Sequence, residues 1–108
     1  MRLIGRLGLA VGLLAVFSAP AVAEGDPRAA LAKNSACIGC HGIPGYKASF
    51  PEVYRVPYIG GQSAEYLEAA LKAYRKGDRD HPTMVGIAKT LSDEDIADLA
   101  AYYAMPEN

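Results

Sequence analysis

Two stretches of the chain carry apolar residues at the i, i+3, i+4, i+7 spacing of a helix with one buried face. The first stripe is Leu67, Ala70, Leu71 and Tyr74, and the second is Ile96, Leu99, Ala100 and Tyr103. Ser63 and Ser92 precede them as N-cap candidates, and Asp95 completes a capping box with Ser92. Gly77 and Pro106 stand where the two helices should end. The pattern therefore predicts two amphipathic helices in the second half of the chain.

A further helix is predicted nearer the N-terminus. Asp26 is a suitable N-cap, Pro27 suits the first helical position, and the alanine-rich residues 29–32 continue the helix toward Cys37. Frequent glycines and prolines between residues 42 and 61 predict a long loop instead. No stretch alternates regularly between apolar and polar residues, so we expect an all-α fold with three main helices and long loops.

The first 23 residues have the layout of a secretory signal peptide. Arg2 and Arg6 flank the start, residues 7–17 are apolar, and residues 21–23 supply a small-residue cleavage site. The apolar run is shorter than the ~20 residues that span a bilayer. We therefore expect cleavage of residues 1–23, export to the periplasm, and a single mature domain at 24–108 with no membrane span.

The net charge argues against nucleic-acid binding. The full chain carries a formal charge of −1, and removal of Arg2 and Arg6 leaves the mature chain more acidic. Proteins that bind nucleic acids usually show a basic patch and a high isoelectric point.

The sequence CIGCH at residues 37–41 carries the most specific chemistry, because Cys-x-x-Cys-His is the attachment pattern for c-type haem. Two thiols three residues apart share one helical face, so each can add across a haem vinyl group. His41 then lies where its imidazole can bind the iron. Cys37 and Cys40 are the only cysteines of the chain. We therefore expect one covalently attached haem c, whose bulk would also complete a thin apolar core.

The two cysteines have two other chemical interpretations, a redox pair and a zinc site. A thioredoxin-like redox pair would follow a strand, whereas the segment before Cys37 has a helical pattern. A zinc site formed by Cys37, Cys40, His41 and His81 lacks the spacing of zinc-binding motifs, and adjacent Cys40 and His41 converge poorly on one tetrahedral ion. Haem attachment is the better interpretation.

The second axial ligand has several candidates in the mature chain: Met84, Met105, His81 and, less plausibly, a lysine. Met84 is preferred because residues 80–84 are predicted to form a short loop that can reach the iron from the side opposite His41. Met105 is better explained as a terminal residue or as filling of a gap. A thioether ligand would raise the reduction potential, whereas a second imidazole would lower it.

Taken together, these motifs resemble class I c-type cytochromes, both the small monohaem periplasmic carriers and one half of the two-haem carriers. The matching segments are CIGCHG at 37–42, PYIGGQ at 57–62, Arg79 five residues before Met84, and LSDEDIADLAAYY at 91–103. The resemblance implies a class I cytochrome c fold around one haem. It also implies that the Pro57 carbonyl accepts a hydrogen bond from His41 and that Ile59 packs on the haem face.

The role of Arg79 is left open between a partner for a haem propionate and a solvated residue at the helix end that continues the run Lys72, Arg75 and Lys76. The segment at residues 46–56 is longer and more aromatic than the resemblance leads us to expect, and we expect it to wrap the haem edge.

The predicted function is that of a non-enzymatic, periplasmic one-electron carrier with transient redox-protein partners. One alternative is a haem subunit of a larger dehydrogenase that oxidises a sulfur compound or an alcohol. Another is a ligand-binding haem protein whose iron keeps an open coordination position.

Overall fold

The structure is a computed structural model that describes residue 15 and residues 24–49 and 53–106. The predicted signal peptide at 1–23 lies outside the described residues except for Ala15, and so do residues 50–52 of the predicted wrapping segment.

Helices dominate the described part of the chain, in agreement with the all-α prediction. The helices are α1 (Pro27–Ala30), α2 (Ser35–His41), α3 (Ala64–Lys76), α4 (Pro82–Ala88) and α5 (Asp93–Tyr103), and the strands are β1 (Lys47–Ala48) and β2 (Tyr54–Arg55). Among the helices within the described ranges, none is long and apolar enough to cross a membrane.

The ends of α3 and α5 confirm the predicted capping chemistry. Ser63 accepts a hydrogen bond from the backbone N–H of Tyr66, and Gly77 closes α3 in the left-handed region with φ of 91°. Ser92 and Asp95 form a capping box at the start of α5. Local side-chain chemistry therefore determines where α3 and α5 begin, and the left-handed Gly77 determines where α3 ends.

The prediction of a single N-terminal helix is wrong in detail, because the structure has two helices there, α1 and α2. Asp26 caps α1 through the backbone N–H of Arg28, as expected. After Ala30 the backbone tightens into i→i−3 hydrogen bonds, and α2 restarts after Asn34. This turn directs Lys33 toward α5, where its ammonium contacts Asp95 and Asp98.

Three helices form the protein core. Helix α5 packs against both α1 and α3. The apolar stripe predicted for α5 is buried throughout, with Ile96 fully inaccessible and Leu99 only 1% exposed. Gly25 lies so close to α5 that a β-carbon there would clash with the Ala97 carbonyl. The contact between the N-terminal segment and α5 is therefore closely packed by protein atoms.

A buried carboxylate ties the N-terminal segment to this core. Asp98 accepts hydrogen bonds from the Asp26 backbone N–H at 2.8 Å and from the Lys33 ammonium at 2.9 Å. These contacts, led by the Asp26 bond, lower the pKa of Asp98. The contacts of Asp95 with Lys33 and the Ser92 backbone lower the pKa of Asp95 to about 2.

Two elements were not predicted. Residues 80–84 were expected to form a loop, but Pro82 occupies the first turn of α4 and Met84 lies within that helix. Seven residues are too few to show a clear periodicity. Residues 42–61 were expected to lack regular structure, yet β1 and β2 pair as an antiparallel hairpin with Ala48 opposite Tyr54. Strands of two residues leave almost no alternation to detect.

Candidate haem site

A cavity of about 370 Å³ lies between α2, α3, α4, α5 and the β2 segment. This size is typical of sites that hold small molecules. All seven residues proposed from the sequence line it: Cys37, Cys40, His41, Pro57, Ile59, Arg79 and Met84. The apolar stripe of α3 faces the same space, since Leu67, Ala70, Leu71 and Tyr74 also line it. The predicted site residues therefore converge on one place although they are separated by up to 47 positions in the sequence.

Both cysteines and His41 lie on helix α2, which forms one wall of the cavity. Cys37 and Cys40 are half-buried and are not joined in a disulfide. Burial raises the pKa of the Cys37 thiol. Cys37 also packs against the buried cluster around Leu99. The two sulfurs are thus one helical turn apart at the boundary between the core and the cavity.

His41 has a fixed partner on the opposite segment. Its Nδ1 lies 2.7 Å from the Pro57 carbonyl oxygen, which is the hydrogen bond that the resemblance implied. A carbonyl can only accept, so Nδ1 carries the hydrogen and donates it. This arrangement selects one tautomer and leaves the Nε2 lone pair free to bind a metal.

Of the candidates for a second ligand, Met84 and His81 line the cavity, whereas Met105 does not. Met84 is half-buried in the first half of α4. His81 precedes α4, and its Nδ1 is buried without a hydrogen-bond partner among the described residues.

Arg79 differs from the other cations near the end of α3. Lys72 pairs with Glu68, Arg75 with Asp93, and Lys76 with Asp78. Arg79 makes no carboxylate pair within the part of the chain that the structure describes. Its guanidinium instead donates to the Tyr66 hydroxyl at 3.3 Å and lies 4.6 Å from the Tyr74 ring centroid. The Tyr66 hydrogen bond raises the pKa of Arg79.

Arg55 is a second cation of the cavity wall, and no motif of the sequence marks it. Arg55 and Arg79 line the cavity, and no Asp or Glu does so among the described residues. Arg55 lies on β2, whose pairing the sequence did not predict, so no signal marked it. The wall is therefore mostly apolar with two cations, a combination suited to a flat apolar ligand that carries carboxylates.

The rival interpretations of the cysteines find no support. Residues 24–49 and 53–106 contain no cluster of three or more His, Cys, Asp or Glu side chains able to hold a metal ion. The candidate zinc ligands therefore do not converge. Helix α2 also follows α1 directly rather than a strand, unlike the redox-pair context.

The model of the cytochrome c family matches residues 28–104, which include the whole cavity wall. The chain belongs to the cytochrome c family. It is 45% identical over 86 residues to cytochrome c-554(548) of Halomonas halodenitrificans, covering 77% of this chain and 99% of that one. It is 37% identical over 67 residues to the cytochrome subunit of sulfide dehydrogenase of Chlorobaculum tepidum, covering 62% and 56% respectively.

A solved cytochrome c4, the reduced recombinant protein from Pseudomonas stutzeri, shares the fold with a TM-score of 0.54 and 28% identity. The match covers 78% of this chain and 51% of that one, so this chain corresponds to about half of cytochrome c4.

Membership of the cytochrome c family implies covalently bound haem c, and the cavity fits that group. The lining supplies two thiols at the attachment spacing, a histidine with its second nitrogen fixed, and an apolar surface with two arginines. Two buried polar atoms there, His81 Nδ1 and the Tyr103 hydroxyl, have no partner among the described residues. Burial also raises the pKa of the Tyr103 phenol, which keeps it protonated as a donor.

Proposed function

We propose that this cytochrome c is a monohaem one-electron carrier of the bacterial periplasm. The observation that carries the proposal is the hydrogen bond from His41 Nδ1 to the Pro57 carbonyl at 2.7 Å, made beside Cys37 and Cys40 in one apolar cavity. A histidine held in this way is pre-oriented as a metal ligand, and the adjacent thiols are the attachment points for haem c.

Four residues of the cavity wall are proposed to hold the haem. Cys37 and Cys40 would form the two thioether links, His41 Nε2 would bind the iron, and Met84 Sδ would supply the second protein ligand. Haem held by His and Met would supply a ferrous–ferric couple at a raised potential. Two protein ligands would leave no open position on the iron, which favours electron transfer over binding of an external ligand.

The remaining contacts tune this centre. Ile59 packs against the buried cluster and contributes apolar surface to the cavity. Arg79, without a carboxylate partner among the described residues, is proposed to pair with a haem propionate. A charge-assisted bond of this kind would offset the burial of a carboxylate. The cationic side chain also favours the ferrous state, because it disfavours added positive charge on the iron.

The proposal also includes export to the periplasm and docking to redox partners. The proposed signal peptide at 1–23 would deliver the chain to the periplasm, where residues 24–108 act as a single domain. The relatives from Halomonas halodenitrificans and Chlorobaculum tepidum are bacterial cytochromes. We expect weak and transient docking to redox proteins, on a small area around the exposed haem edge.

The relative from Chlorobaculum tepidum favours a second candidate function, since its name describes a cytochrome subunit of an enzyme. On this alternative the chain would be a tightly bound haem subunit of a dehydrogenase. Gel filtration of the protein purified from its native host separates the two. Elution as a free small protein supports the carrier, and stable co-elution with a larger flavin- or metal-containing chain supports the subunit.

Visible spectroscopy of the haem-loaded protein tests the iron site. Ferric wild type is expected to show the weak long-wavelength band of thioether coordination, and Met84→Ala should lose it. Met105→Ala is the matched control, because Met105 lies outside the cavity lining and should leave the band unchanged. A Met84→Ala spectrum identical to wild type would reject Met84 as ligand. Rapid, stoichiometric carbon monoxide binding to reduced wild type would reject the closed carrier site.

A further inference from the structure

Helix α4, which carries Met84, receives little support from its own sequence. It has only seven residues, its N-cap His81 makes no side-chain capping bond, and Gly86 lies in its middle. A helix this short is marginal in water, and an interior glycine weakens it further. Its position must therefore be set by contacts with other elements, of which α3 is one.

The start of α4 has a second contact, made by Tyr54 of β2. The Tyr54 and His81 rings meet edge to face, with centroids 4.6 Å apart and planes at 70°. The Tyr54 hydroxyl lies 3.5 Å from Thr83 Oγ1, at the outer limit of a hydrogen bond. His81 and Thr83 lie three residues and one residue before Met84, so Tyr54 contacts the segment that leads into the proposed ligand.

Tyr54 is itself held in place. It pairs with Ala48 across the hairpin. Two residues further on, the Val56 N–H donates a hydrogen bond to the Tyr46 carbonyl at 3.0 Å. Val56 is buried, and Pro57 follows with its bond to His41. Residues 54–57 therefore connect the His41 side of the cavity to the Met84 side.

From this connection we infer that Tyr54 is a positioning residue that holds the Met84 segment against the haem site. The inference rests on the proposed Met84 ligation. Edge-to-face aromatic contact favours the closed arrangement of α4, in which Met84 reaches the iron. Loss of the Tyr54 ring increases the fraction of molecules whose Met84 segment has moved away. The residue acts on coordination through His81 and Thr83, without touching the iron.

Imidazole binding to the ferric haem-loaded protein measures this fraction, because imidazole must displace Met84. The apparent affinity of an external ligand scales with the population of the open state. Tyr54→Ala should therefore strengthen imidazole binding roughly three- to tenfold, the range expected for one aromatic pair. Tyr54→Phe retains the ring and should stay within about twofold of wild type, since the hydroxyl contact is long.

The control for the hairpin is Val53→Ala. Val53 adjoins Tyr54 but is 75% exposed, so its truncation should leave imidazole affinity unchanged. Should Tyr54→Ala fail to mature, Tyr54→Leu keeps the apolar volume without the aromatic edge, and His81→Ala removes the contact from the other side. Both are expected to strengthen imidazole binding. The effects of Tyr54→Leu and His81→Ala should not add, because they remove the same pair.

Several outcomes would overturn the inference. A Tyr54→Ala protein that unfolds at lower denaturant but binds imidazole as wild type does would give Tyr54 a merely structural role. Additive effects of Tyr54→Leu and His81→Ala would also reject the contact as the cause. The spectrum of Met84→Ala shows whether the proposed ligand assignment, rather than the role of Tyr54, is wrong. If that variant keeps the thioether band, the ligand assignment is wrong. If it loses the band while Tyr54→Ala matches wild type, only the role of Tyr54 is wrong.

Discussion

The α1–α5 junction and the cavity wall of this small cytochrome c contain similar apolar residues in different surroundings. Those of the junction are covered by protein atoms, whereas those of the wall face the cavity. Ile96 of α5 and Ala30 of α1 are covered by protein atoms and are fully inaccessible. The equivalent stripe of α3 turns largely to the cavity, where Leu71 and Tyr74 stay only half-buried by protein. The junction should thus determine the free energy of unfolding, whereas the cavity wall should determine the spectrum and the reduction potential of the haem.

The largest expected effect is a loss of stability at the junction. Ile96→Ala should lower the free energy of unfolding by about 2–5 kcal/mol, because it leaves a cavity in fully packed surroundings. Denaturant titration of the haem-loaded protein measures the loss. Leu71→Ala is the matched change on the cavity wall, where the smaller expected loss is about 1 kcal/mol. Equal losses at the two positions would contradict the distinction.

The second largest loss of stability is expected from removal of the buried Asp98 carboxylate. Asp98→Ala leaves the Asp26 N–H and the Lys33 ammonium without this acceptor, and should cost about 1–3 kcal/mol of unfolding free energy. The haem spectrum should not change. A shifted thioether band in Asp98→Ala would show that the junction and the iron site are not separable.

The same cluster predicts a pH dependence. The pKa values of Asp95 and Asp98 are lowered in the folded state, that of Asp95 to about 2. Their contribution is therefore complete above the unfolded pKa of ~4 and is lost as the pH falls from there toward 2. Unfolding titrations of wild type at pH 6, 4 and 3 should show falling stability. Asp98→Asn should flatten that fall, and an unchanged slope would contradict the assignment.

A smaller loss is expected at the capping box of α5. Ser92→Ala removes the acceptor of the Asp95 N–H and should lower the free energy of unfolding by about 1 kcal/mol. Ser92→Asp, which keeps a capping oxygen, should restore most of it. If both variants lose the same amount, the cap is not the source of the effect.

The smallest expected effect on stability comes from Arg79. Because it is exposed, Arg79→Gln should change unfolding by no more than about 0.5 kcal/mol. Loss of its positive charge should instead lower the reduction potential, since the ferric state is then less disfavoured. Redox titration against Lys76→Gln, a cation that does not line the cavity, provides the comparison. Equal shifts would mean that only net charge matters.

The features that could be predicted from the sequence are those that depend on residues close to one another in the chain. The α5 stripe, both serine caps and the Gly77 stop depend on neighbouring residues, so they could be predicted with no knowledge of the fold. Proposed site residues were recognisable from the Cys-x-x-Cys-His spacing and from family motifs. The chemistry of thiols and imidazole constrains that spacing, whatever the tertiary structure.

Helix α4 and the β1–β2 hairpin could not be predicted, because these elements are too short to show a periodic pattern. Arg55 could not be predicted because it reaches the cavity through that hairpin. Pro82 suggests a break when it is considered alone, but it suits the first turn of a helix. Tyr54 and His81 are 27 positions apart in the sequence, and no local pattern indicates that their rings meet. Lys33, in the turn that divides the first helix, contacts α5, and no local pattern indicates that contact either.

Mass spectrometry of the protein matured in its native host tests the central claim, that the chain folds around a haem covalently bound to Cys37 and Cys40. The account predicts the mass of residues 24–108 plus one haem, no free thiol, and no covalent haem after replacement of both cysteines by alanine. The bare polypeptide mass with two titratable thiols and no visible absorption would contradict it.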